Sequence, residues 1–340
     1  MFIPCYPDYI SKVPFDVWNY FYHEDRPNNI TCSNCQPTET EQKCFVLLSF
    51  FFDFKDGAIK YSSDYIKVLH SECNFYNNTN TNDGGSVYFN CNSSFIQHKI
   101  CSLYSQTTGT NYKGGHHSYS DCKDENNLNF VYESTICLCG NEIAQKTLYL
   151  FSGNISIRST NISKCTARFN SGYGLHPTKE ASVSYCTIDN TTCKPFGQLL
   201  GHYNSGTNFV SFSNILNNKI SSSSYEIIYC YGDITVENCS VNGNEGPTGF
   251  KLFSRVSGSF IVKNCFVQST GNIPDDITTQ NIAYEEKCLN LSHLSTYKCE
   301  ALIPIVNNVE NKIVNEEDDT FDLEYIKFII YLRYAKVIFS

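Results

Sequence analysis

The sequence predicts an all-β fold, a parallel β-solenoid, because it combines a fixed repeat with a composition that favours strands and turns. A branched apolar residue, here called the anchor, recurs every 26 or 27 residues at positions 162, 188, 215, 241 and 267. A fixed period in the twenties is typical of solenoids, in which each coil contacts only its neighbours. Charged residues make up 17% of the chain, against roughly 25% in typical soluble proteins. The net charge of −9 offers no basic surface, so no nucleic-acid partner is expected.

Each coil is predicted to contain strands separated by turns. A second β-branched residue stands five positions before each anchor, as in Val183 before Ile188 and Val236 before Val241. Apolar residues alternate with polar ones around these positions, which indicates strands. Asparagine-rich turns follow the anchors, as in segment 215–218. A helical repeat would need about ten consecutive residues with a 3.6-residue period, and no coil contains such a run.

Several of the 18 cysteines occupy one position of the repeat. Cys186, Cys239 and Cys265 each stand two residues before an anchor, and Thr160 and Ser213 take that place in other coils. A residue that recurs in phase stacks on its counterparts, and free cysteine packs as a small buried hydrophobe. The spacing favours an interior ladder of reduced cysteines. The alternative is a disulfide framework formed in an oxidising compartment.

A looser version of the repeat precedes the regular one. Its predicted anchors are Phe75, Leu103 and Ile136. Cys73 and Cys101 are assigned to the cysteine ladder of these coils. Three related segments begin at Gly57, Gly85 and Gly115. Glycine supplies the positive φ needed for a sharp turn into a strand. The complete array is therefore predicted to contain about nine coils of 26–30 residues.

The repeat also predicts the division of the chain. Residues 1–43 carry five prolines and no repeat, and are predicted to form an N-terminal cap region. Residues 44–270 form the solenoid, and residues 271–309 form an irregular C-terminal coil or cap. Residues 310–340 comprise an acidic linker and an apolar terminal segment at 325–339. That segment is about 15 residues long and holds three cations, which favours a terminal helix packed on the solenoid; a weak membrane anchor is the alternative.

Two motifs resemble known surface proteins. Gly84-Gly85-Ser86-Val87-Tyr88, together with Phe75-Tyr76-Asn77-Asn78, resembles the GGA(I/L/V) and FxxN repeats of polymorphic outer-membrane proteins. The whole array resembles the right-handed parallel β-helix, or pectin-lyase-like, superfamily, and is most similar to the surface proteins of parasitic protists. This resemblance implies a right-handed coil, location at the cell surface or secretion, and a role in adhesion. Residues 1–12 lack the basic start and apolar run of a signal peptide, which argues against such a location.

Many pectin-lyase-like proteins cleave polysaccharides, and hydrolases of this kind need closely set carboxylates. The Asp-Asp pairs of this chain, Asp275-Asp276 and Asp318-Asp319, lie outside the regular coils. Lyases need a basic residue beside acidic groups, but Arg158, Arg168 and Arg255 do not recur in phase with aspartate. A carbohydrate-active enzyme is therefore the less favoured prediction.

The segment 114–121 is the most site-like cluster, since it contains His116, His117 and Asp121. Adjacent strand residues point to opposite faces, so the two histidines cannot share a metal ion without a bulge. The favoured interpretation is an exposed turn with an ordinary histidine pair.

Two cysteine pairs have close spacing, Cys32 with Cys35 and Cys137 with Cys139. The first is predicted to be a structural pair or a local disulfide, because no second pair completes a zinc site. The second alternates along a strand, so its sulfurs face apart. The sequence predicts no catalytic, cofactor-binding or metal-binding residues, and no cofactor.

The functional prediction is a non-enzymatic β-helix that binds a host glycan or protein through one side of the solenoid. A polysaccharide lyase or hydrolase and a structural surface-coat component are the alternatives. Acidic residues clustered with histidine or lysine on one face would favour the enzyme. An aromatic stripe on one face would favour binding, and a featureless polar exterior would favour the coat.

Overall fold

The chain forms a parallel β-solenoid, as the sequence predicts. This computed structural model describes residues 16–30, 42–62, 65–109, 114–194, 197–204, 206–222, 225–291 and 299. Three long sheets of eleven, nine and eight strands run along the solenoid, and the strand pairs within the described residues are parallel. These strands complete about eight turns, close to the nine predicted. The right-handed sense of the coil stays a prediction.

The strands of each coil follow a constant order around the solenoid. Sheet 1 contains Asn29–Ile30, Lys43–Leu47, Lys67–Ser71, Phe95–His98, Leu128–Tyr132, Asn154–Arg158, Glu180–Ser184, Thr207–Ser211, Asp233–Glu237, Phe260–Lys263 and Thr278–Gln280. Sheet 2 contains Phe50–Phe52, Asn74–Tyr76, Cys101–Leu103, Thr135–Cys137, Asn161–Ser163, Thr187–Asp189, Asn214–Leu216, Ser240–Asn242 and Phe266–Val267. Sheet 3 contains Ile59–Tyr61, Val87–Asn90, Ser118–Asp121, Lys146–Phe151, Asn170–His176, Leu200–His202, Glu226–Cys230 and Lys251–Arg255. Short ladders between sheets 2 and 3 contain Thr79–Asn80, Gln106–Thr107, Thr166–Ala167, Thr192–Cys193 and Lys219–Ile220.

A left-handed residue turns the chain at each end of a sheet 2 strand. At the corner with sheet 1, these residues are Leu48, Glu72, Lys99, Glu133, Ser159, Tyr185, Phe212, Asn238 and Asn264. At the other corner they are Asp53, Asn77, Tyr104, Leu138, Lys164, Asn190, Asn217 and Gly243. Most are not glycine, although this conformation costs other residues energy. The side chain after each corner residue points into the solenoid, so the corners create two interior ladders.

The anchors form one continuous interior row of sheet 2, but the early part of the predicted series is wrong at one position. Ile136, Ile162 and the later anchors lie in register as predicted. Phe75 aligns with Ser102 rather than with Leu103. Ser102 is fully buried and its Oγ lies 2.9 Å from Ser105 Oγ. The polar Ser102 therefore occupies the interior anchor position, and the predicted anchor Leu103 lies one residue further along the strand.

The first interior ladder contains the recurring cysteines. The thiols of Cys73, Cys186, Cys239 and Cys265 are free and buried, as predicted. Each donates to the carbonyl two residues earlier, as Cys186 does to Ser184 at 3.2 Å. Serine and threonine make the same bond, which explains why the three residue types interchange. The assignment of Cys101 to this ladder is wrong, because Cys101 lies beside the anchor row and is disulfide-bonded; Ile100 takes the ladder position.

The second interior ladder is polar. Asn78, Thr191, Asn218 and Asn244 each follow a corner residue and are buried. The Asn218 Nδ2 donates to the Ile188 carbonyl at 3.0 Å, and Asn244 Nδ2 donates to the Ile215 carbonyl at 2.9 Å. The Oδ1 atoms of Asn218 and Asn244 accept from the N–H groups of Thr191 and Asn218, and so satisfy donors that the turn removes from the sheet ladders.

The described part of the predicted cap region forms helix α1, Val17–Tyr22. Asp16 begins the helix by accepting a hydrogen bond from the Asn19 N–H at 3.1 Å. Trp18 is fully buried, and its ring centroid lies 5.9 Å from that of Phe45. The Tyr22 hydroxyl donates to the Val68 carbonyl at 2.7 Å. The helix therefore covers the apolar outer surface of the first strands of sheet 1.

The chain after the last coil returns along the outer surface of sheet 2. Phe266 pairs with Ala283, Asn242 donates to the Lys287 carbonyl at 3.0 Å, and Asn214 donates to the Leu289 carbonyl at 2.9 Å. These three contacts belong to three successive coils, so residues 283–289 tie the last coils together.

The chain divides into two units, Met1–Thr296 and Tyr297–Ser340. The described part of the second unit is Cys299, which is buried and disulfide-bonded. Cys32, Cys35, Asp318, Asp319, the acidic linker and the proposed anchor at 325–339 lie outside the described residues. Among the helices that the structure describes, none is long and apolar enough to span a bilayer.

Candidate functional site on the outer face of sheet 3

The outer face of sheet 3 carries a row of tyrosines, here called the aromatic row. Successive strands place these residues in one register: Lys60, Tyr88, Tyr119, Tyr149, Gly174, Gly201, Tyr229 and Ser254. The rings of Tyr88 and Tyr119 stack with centroids 5.3 Å apart, and Tyr149 meets Tyr119 edge-on at 5.5 Å. Lys60 lies over the Tyr88 ring at 5.8 Å.

Two glycines interrupt the row and make room for side chains from neighbouring positions. A Cβ atom at Gly174 would lie 2.7 Å from Cδ of Lys146, and one at Gly201 would lie 2.4 Å from the Tyr203 ring. Tyr203 thereby lies across the gap, 5.6 Å from Tyr229 between ring centroids. Aromatic rings therefore extend along the face from Tyr88 to Tyr229 despite the two glycines.

A second line of rings borders the row. His176 stacks on Phe151 at 5.1 Å and on Tyr203 at 4.7 Å, and it meets Tyr149 edge-on at 5.4 Å. Phe151, His176 and Tyr203 are partly exposed, as are Tyr88 and Tyr229. Solvent therefore reaches these five rings, whereas Tyr119 and Tyr149 between them are only 1% and 5% exposed.

A line of polar side chains, here called the polar row, lies three or four residues before the aromatic row in five successive coils. The row contains Lys146, Asn170, Gln198, Glu226 and Lys251. A local kink directs them outward, because the two residues that follow, such as Leu199 and Leu200, both enter the core. The register shift after Lys146 records the same kink. The Tyr203 hydroxyl joins the two rows, lying 2.7 Å from Asn170 Oδ1 and 3.1 Å from Gln198 Oε1.

Burial controls the charges on this face. Lys146 is only 6% exposed, and burial lowers its pKa to about 8, opposed by the charge of Asp83. Burial and the nearby Lys146 lower the pKa of His176 to about 3, so its imidazole is neutral at pH 7. Burial raises the pKa of Glu226, and a hydrogen bond from Ser254 and the charge of Lys251 oppose that shift. Amide groups, hydroxyls and ring faces therefore dominate the surface.

The histidine pair predicted as an exposed turn is buried, so that interpretation is wrong. His116 and His117 are 0% and 1% exposed. His117 Nε2 lies 2.8 Å from Gln97 Oε1, whereas His116 Nδ1 accepts from the Thr107 N–H at 3.1 Å. The two rings thus serve different parts of the interior, and Asp121 Oδ1 instead accepts from the Lys123 N–H at 3.1 Å. Within the described residues, no group of three His, Cys, Asp or Glu side chains could hold a metal ion.

The other candidate residues are also dispersed. Cys137 lies on the outer side of sheet 2 and Cys139 faces the interior ladder, so their sulfurs face apart as predicted. Asp276 accepts a hydrogen bond from Arg255 Nε at 3.0 Å. Arg158 lies 5.8 Å from the ring centroid of Tyr185 on another corner of the solenoid.

The aromatic row was not predicted from the sequence, although a signal for it exists. Tyr88, Tyr119 and Tyr149 are separated by 31 and 30 residues, which is the length of one coil in this half of the chain. A search for aromatic residues at the coil period would have found them. The contribution of Tyr203 could not be found in this way, because it depends on the space above Gly201.

Comparisons with known proteins add little to this description. No family model matches the chain, and no curated protein matches it. Among solved structures, the receptor binding domain of a Siphovirus 9NA tailspike is 10% identical, with a TM-score of 0.19. The match covers 74% of this chain and 53% of the tailspike chain, so this chain spans about half of that protein's length. A TM-score this low carries no argument about function. The fold and the face together define a β-solenoid with an extended aromatic surface.

Proposed function

We propose that this protein is a non-enzymatic β-solenoid that binds a glycan along the outer face of sheet 3. The observation that carries the proposal is the run of contacting rings from Tyr88 to Tyr229, in which Tyr88, His176, Tyr203 and Tyr229 are partly exposed and which the polar row flanks. The apolar faces of sugar rings pack on aromatic rings, while sugar hydroxyls bond to amides and hydroxyls. The partly exposed Gln198 amide and the Tyr203 hydroxyl supply such groups beside the rings, and the buried Asn170 holds that hydroxyl in place.

The repeating geometry also supports a polymer as the ligand. Neighbouring coils are about 4.8 Å apart, so the same kind of group recurs at short, even intervals along the face. A glycan chain laid along the solenoid axis would meet the partly exposed rings one after another, although the rings differ in tilt, as Tyr119 and Tyr149 do. Solenoids commonly use extended surfaces of this kind for binding.

A location at the cell surface or outside the cell is part of the proposal. The disulfide at Cys101 supports an oxidising compartment. The resemblance of the GGA and FxxN segments to polymorphic outer-membrane proteins, and of the whole array to surface proteins of parasitic protists, supports a location at the cell surface. Adhesion to a host glycan is the role that this location would give the aromatic face. Microscopy of a tagged protein on intact, unpermeabilised cells tests the location, and a wholly cytosolic signal would overturn it.

Binding is tested with the full chain on a glycan array, followed by affinity measurements on each glycan that binds. Tyr203→Ala and Tyr229→Ala are each expected to weaken binding about tenfold, equivalent to about 1.4 kcal/mol. Tyr104→Ala is the matched control, because Tyr104 is 42% exposed but lies on a corner of sheet 2. Equal losses in the control and the two test variants would contradict the assignment to sheet 3.

The same glycans serve to test the alternatives. Release of shortened or unsaturated sugars would show a lyase or hydrolase and overturn the non-enzymatic assignment. Absence of binding to every glycan would remove the glycan proposal and favour a protein ligand or a surface coat.

A further inference from the structure

Lys146 is unusual among the lysines that the structure describes. Its side chain is only 6% exposed, and its Nζ lies 4.0 Å from the Tyr149 ring centroid and 5.6 Å from that of Tyr203. Within the described residues, its ammonium makes no hydrogen bond or ion pair. Lys194, Lys219 and Lys263, by contrast, each pair with a glutamate at the surface, as Lys263 does with Glu237 at 2.8 Å.

A buried cation without an anion is costly, because ring faces replace only part of the lost hydration. The surrounding structure nevertheless accommodates the Lys146 side chain. The glycine at position 174 leaves space for its methylenes, since a Cβ there would lie within 2.8 Å of Lys146 Cε. The kink of the strand turns Lys146 outward onto the aromatic row instead of into the core. The cation is therefore positioned on the face that we assign to the ligand.

We propose that the Lys146 ammonium binds an anionic group, a carboxylate or a sulfate, of the glycan held by the aromatic row. This inference rests on the proposed function and names the class of its ligand. The anion would supply the missing counter-charge, and the Tyr203 hydroxyl and the Gln198 amide lie nearby for the neighbouring sugar hydroxyls.

Because the net charge of the chain is negative, selection of an acidic glycan over a neutral one would depend on individual cationic side chains. At −9, the protein as a whole repels anions, so long-range attraction cannot produce binding of an acidic glycan. Any preference for acidic over neutral glycans must come from a placed cation. Lys60, the lysine of the aromatic row, is exposed and lies over the Tyr88 ring at 5.8 Å.

The test compares matched pairs of polymers on the full chain: dextran sulfate with dextran, and hyaluronate with carboxyl-reduced hyaluronate. The sulfated pair and the carboxylate pair identify which anion is recognised. Lys146→Gln is expected to weaken binding of the acidic partner at least tenfold and to leave the neutral partner within about twofold. Lys146→Arg, which keeps the charge, is expected to retain the preference. Lys164→Gln serves as a surface-charge control, because Lys164 is exposed and lies on a corner of sheet 2.

The pH dependence gives a second measurement that does not depend on a variant. The titratable groups that face Lys146 are Tyr149, Tyr203 and His176, with Asp83 at longer range. Burial raises the pKa of both tyrosines, and His176 is already neutral, so Lys146 is the group that changes charge near pH 8. Affinity for the acidic polymer is expected to fall as pH rises from 7 to 9.5, while affinity for the neutral polymer stays constant.

The outcomes separate the two proposals. No binding of any glycan would remove the proposed function itself. Binding of neutral and acidic polymers with equal affinity, unchanged in Lys146→Gln, would leave glycan binding intact and overturn only the role of Lys146. A Lys146→Gln variant that loses neutral binding as well, with an altered circular dichroism spectrum, would show that Lys146 is structural. In that case the wild-type protein decides: an affinity for the acidic polymer that stays constant from pH 7 to 9.5 would show that Lys146 recognises no anion.

Discussion

The backbone N–H of Asn218 donates a hydrogen bond to Oδ1 of Asn244, one coil further along the solenoid, at 3.1 Å. Asn218 Oδ1 in turn accepts from the N–H of Thr191, one coil earlier, at 2.9 Å. The side chains thus link three coils through the interior. Because sheet 2 strands contain only two or three residues, these amides replace backbone pairing at the corners that the strands do not reach.

Replacement of Asn218 is therefore expected to destabilise the solenoid strongly. Asn218→Ala would leave the Thr191 N–H buried without its present partner. An unsatisfied buried donor corresponds to a loss of about 1–3 kcal/mol in the free energy of unfolding. Urea unfolding followed by circular dichroism measures it.

The adjacent residue provides the control for this prediction. Asn217 has a φ of 53° and its side chain bonds to exposed Asp189 at 2.9 Å. Asn217→Gly suits the same φ and is expected to cost less than about 1 kcal/mol. Equal losses in Asn217→Gly and Asn218→Ala would show that the interior amide has no special role.

Stability is expected to fall at alkaline pH. Burial raises the pKa of Cys73, Cys186 and Cys230 to about 12, against about 8.5 in an unfolded chain. The native state holds these protons while the unfolded state releases them, so their stabilisation is complete below pH 8.5 and is lost as pH rises toward 12. Each thiol contributes a slope of about 1.4 kcal/mol per pH unit in that range.

The free energy of unfolding between pH 7 and 10.5 measures this slope. Cys186→Ser is the matched variant, because Ser213 already occupies the same ladder position in the next coil. The variant is expected to have a shallower slope by the contribution of one thiol. Identical slopes in the two proteins would contradict the assignment.

Stability is also expected to fall in acid. Burial lowers the pKa of His70 and His117 to about 3, and that of His116 and His202 to about 4. The ordinary value is about 6.5, so the unfolded state takes up protons first as pH falls. Their stabilisation is complete above pH 6.5 and declines toward pH 4.

Thermal unfolding at pH 7.5, 6 and 5 measures the acid effect. His202 Nδ1 lies 3.0 Å from Asn208 Oδ1, and glutamine is the neutral replacement that retains a polar group there. His202→Gln is expected to reduce the loss of melting temperature between pH 7.5 and 5. A wild-type protein equally stable at pH 7.5 and 5 would refute the prediction.

A methyl group at Gly201 is expected to displace Tyr203 without unfolding the chain. The added Cβ would lie 2.4 Å from the ring, whose position over the face is set by a flexible side chain. Gly201→Ala should therefore weaken glycan binding as much as Tyr203→Ala while leaving the circular dichroism spectrum unchanged. In a Tyr203→Ala background, Gly201→Ala should have no further effect on affinity; an additive loss would show that the two residues act independently.

The fold was predictable because the interior repeats. From Ile136 onward, each coil keeps an apolar anchor at a spacing set by the same three strands, so the period in the sequence reports the register directly. The earlier coils break the rule where the interior becomes polar. Ser102 replaces an apolar anchor, and Tyr61 faces inward beside His70 although its segment resembles the one that ends in outward-facing Tyr88.

The candidate site was harder to predict because it depends on contacts between coils. Tyr203 belongs to no periodic position, and the burial of Lys146 follows from a kink and from the missing side chain at Gly174. Sequence spacing can place two residues in one row, but it cannot show that a neighbouring side chain fills the gap left by a glycine. The buried histidines illustrate the same limit, since a polar Gly-Gly-His-His segment gives no sign that both rings enter the interior.

The pairing of Gly174 directly with Gly201 has a consequence for how such a protein can change. The 27 residues from Gly174 to Leu200 carry the chain from one rung of sheet 3 to the identical rung of the next. Their loss would place Gly201 against Tyr149 with every later strand still in register. Gain or loss of a coil would thus lengthen or shorten the face by one strand of sheet 3. The length of polymer that the face contacts would change, while the side chains that make each remaining contact would stay the same.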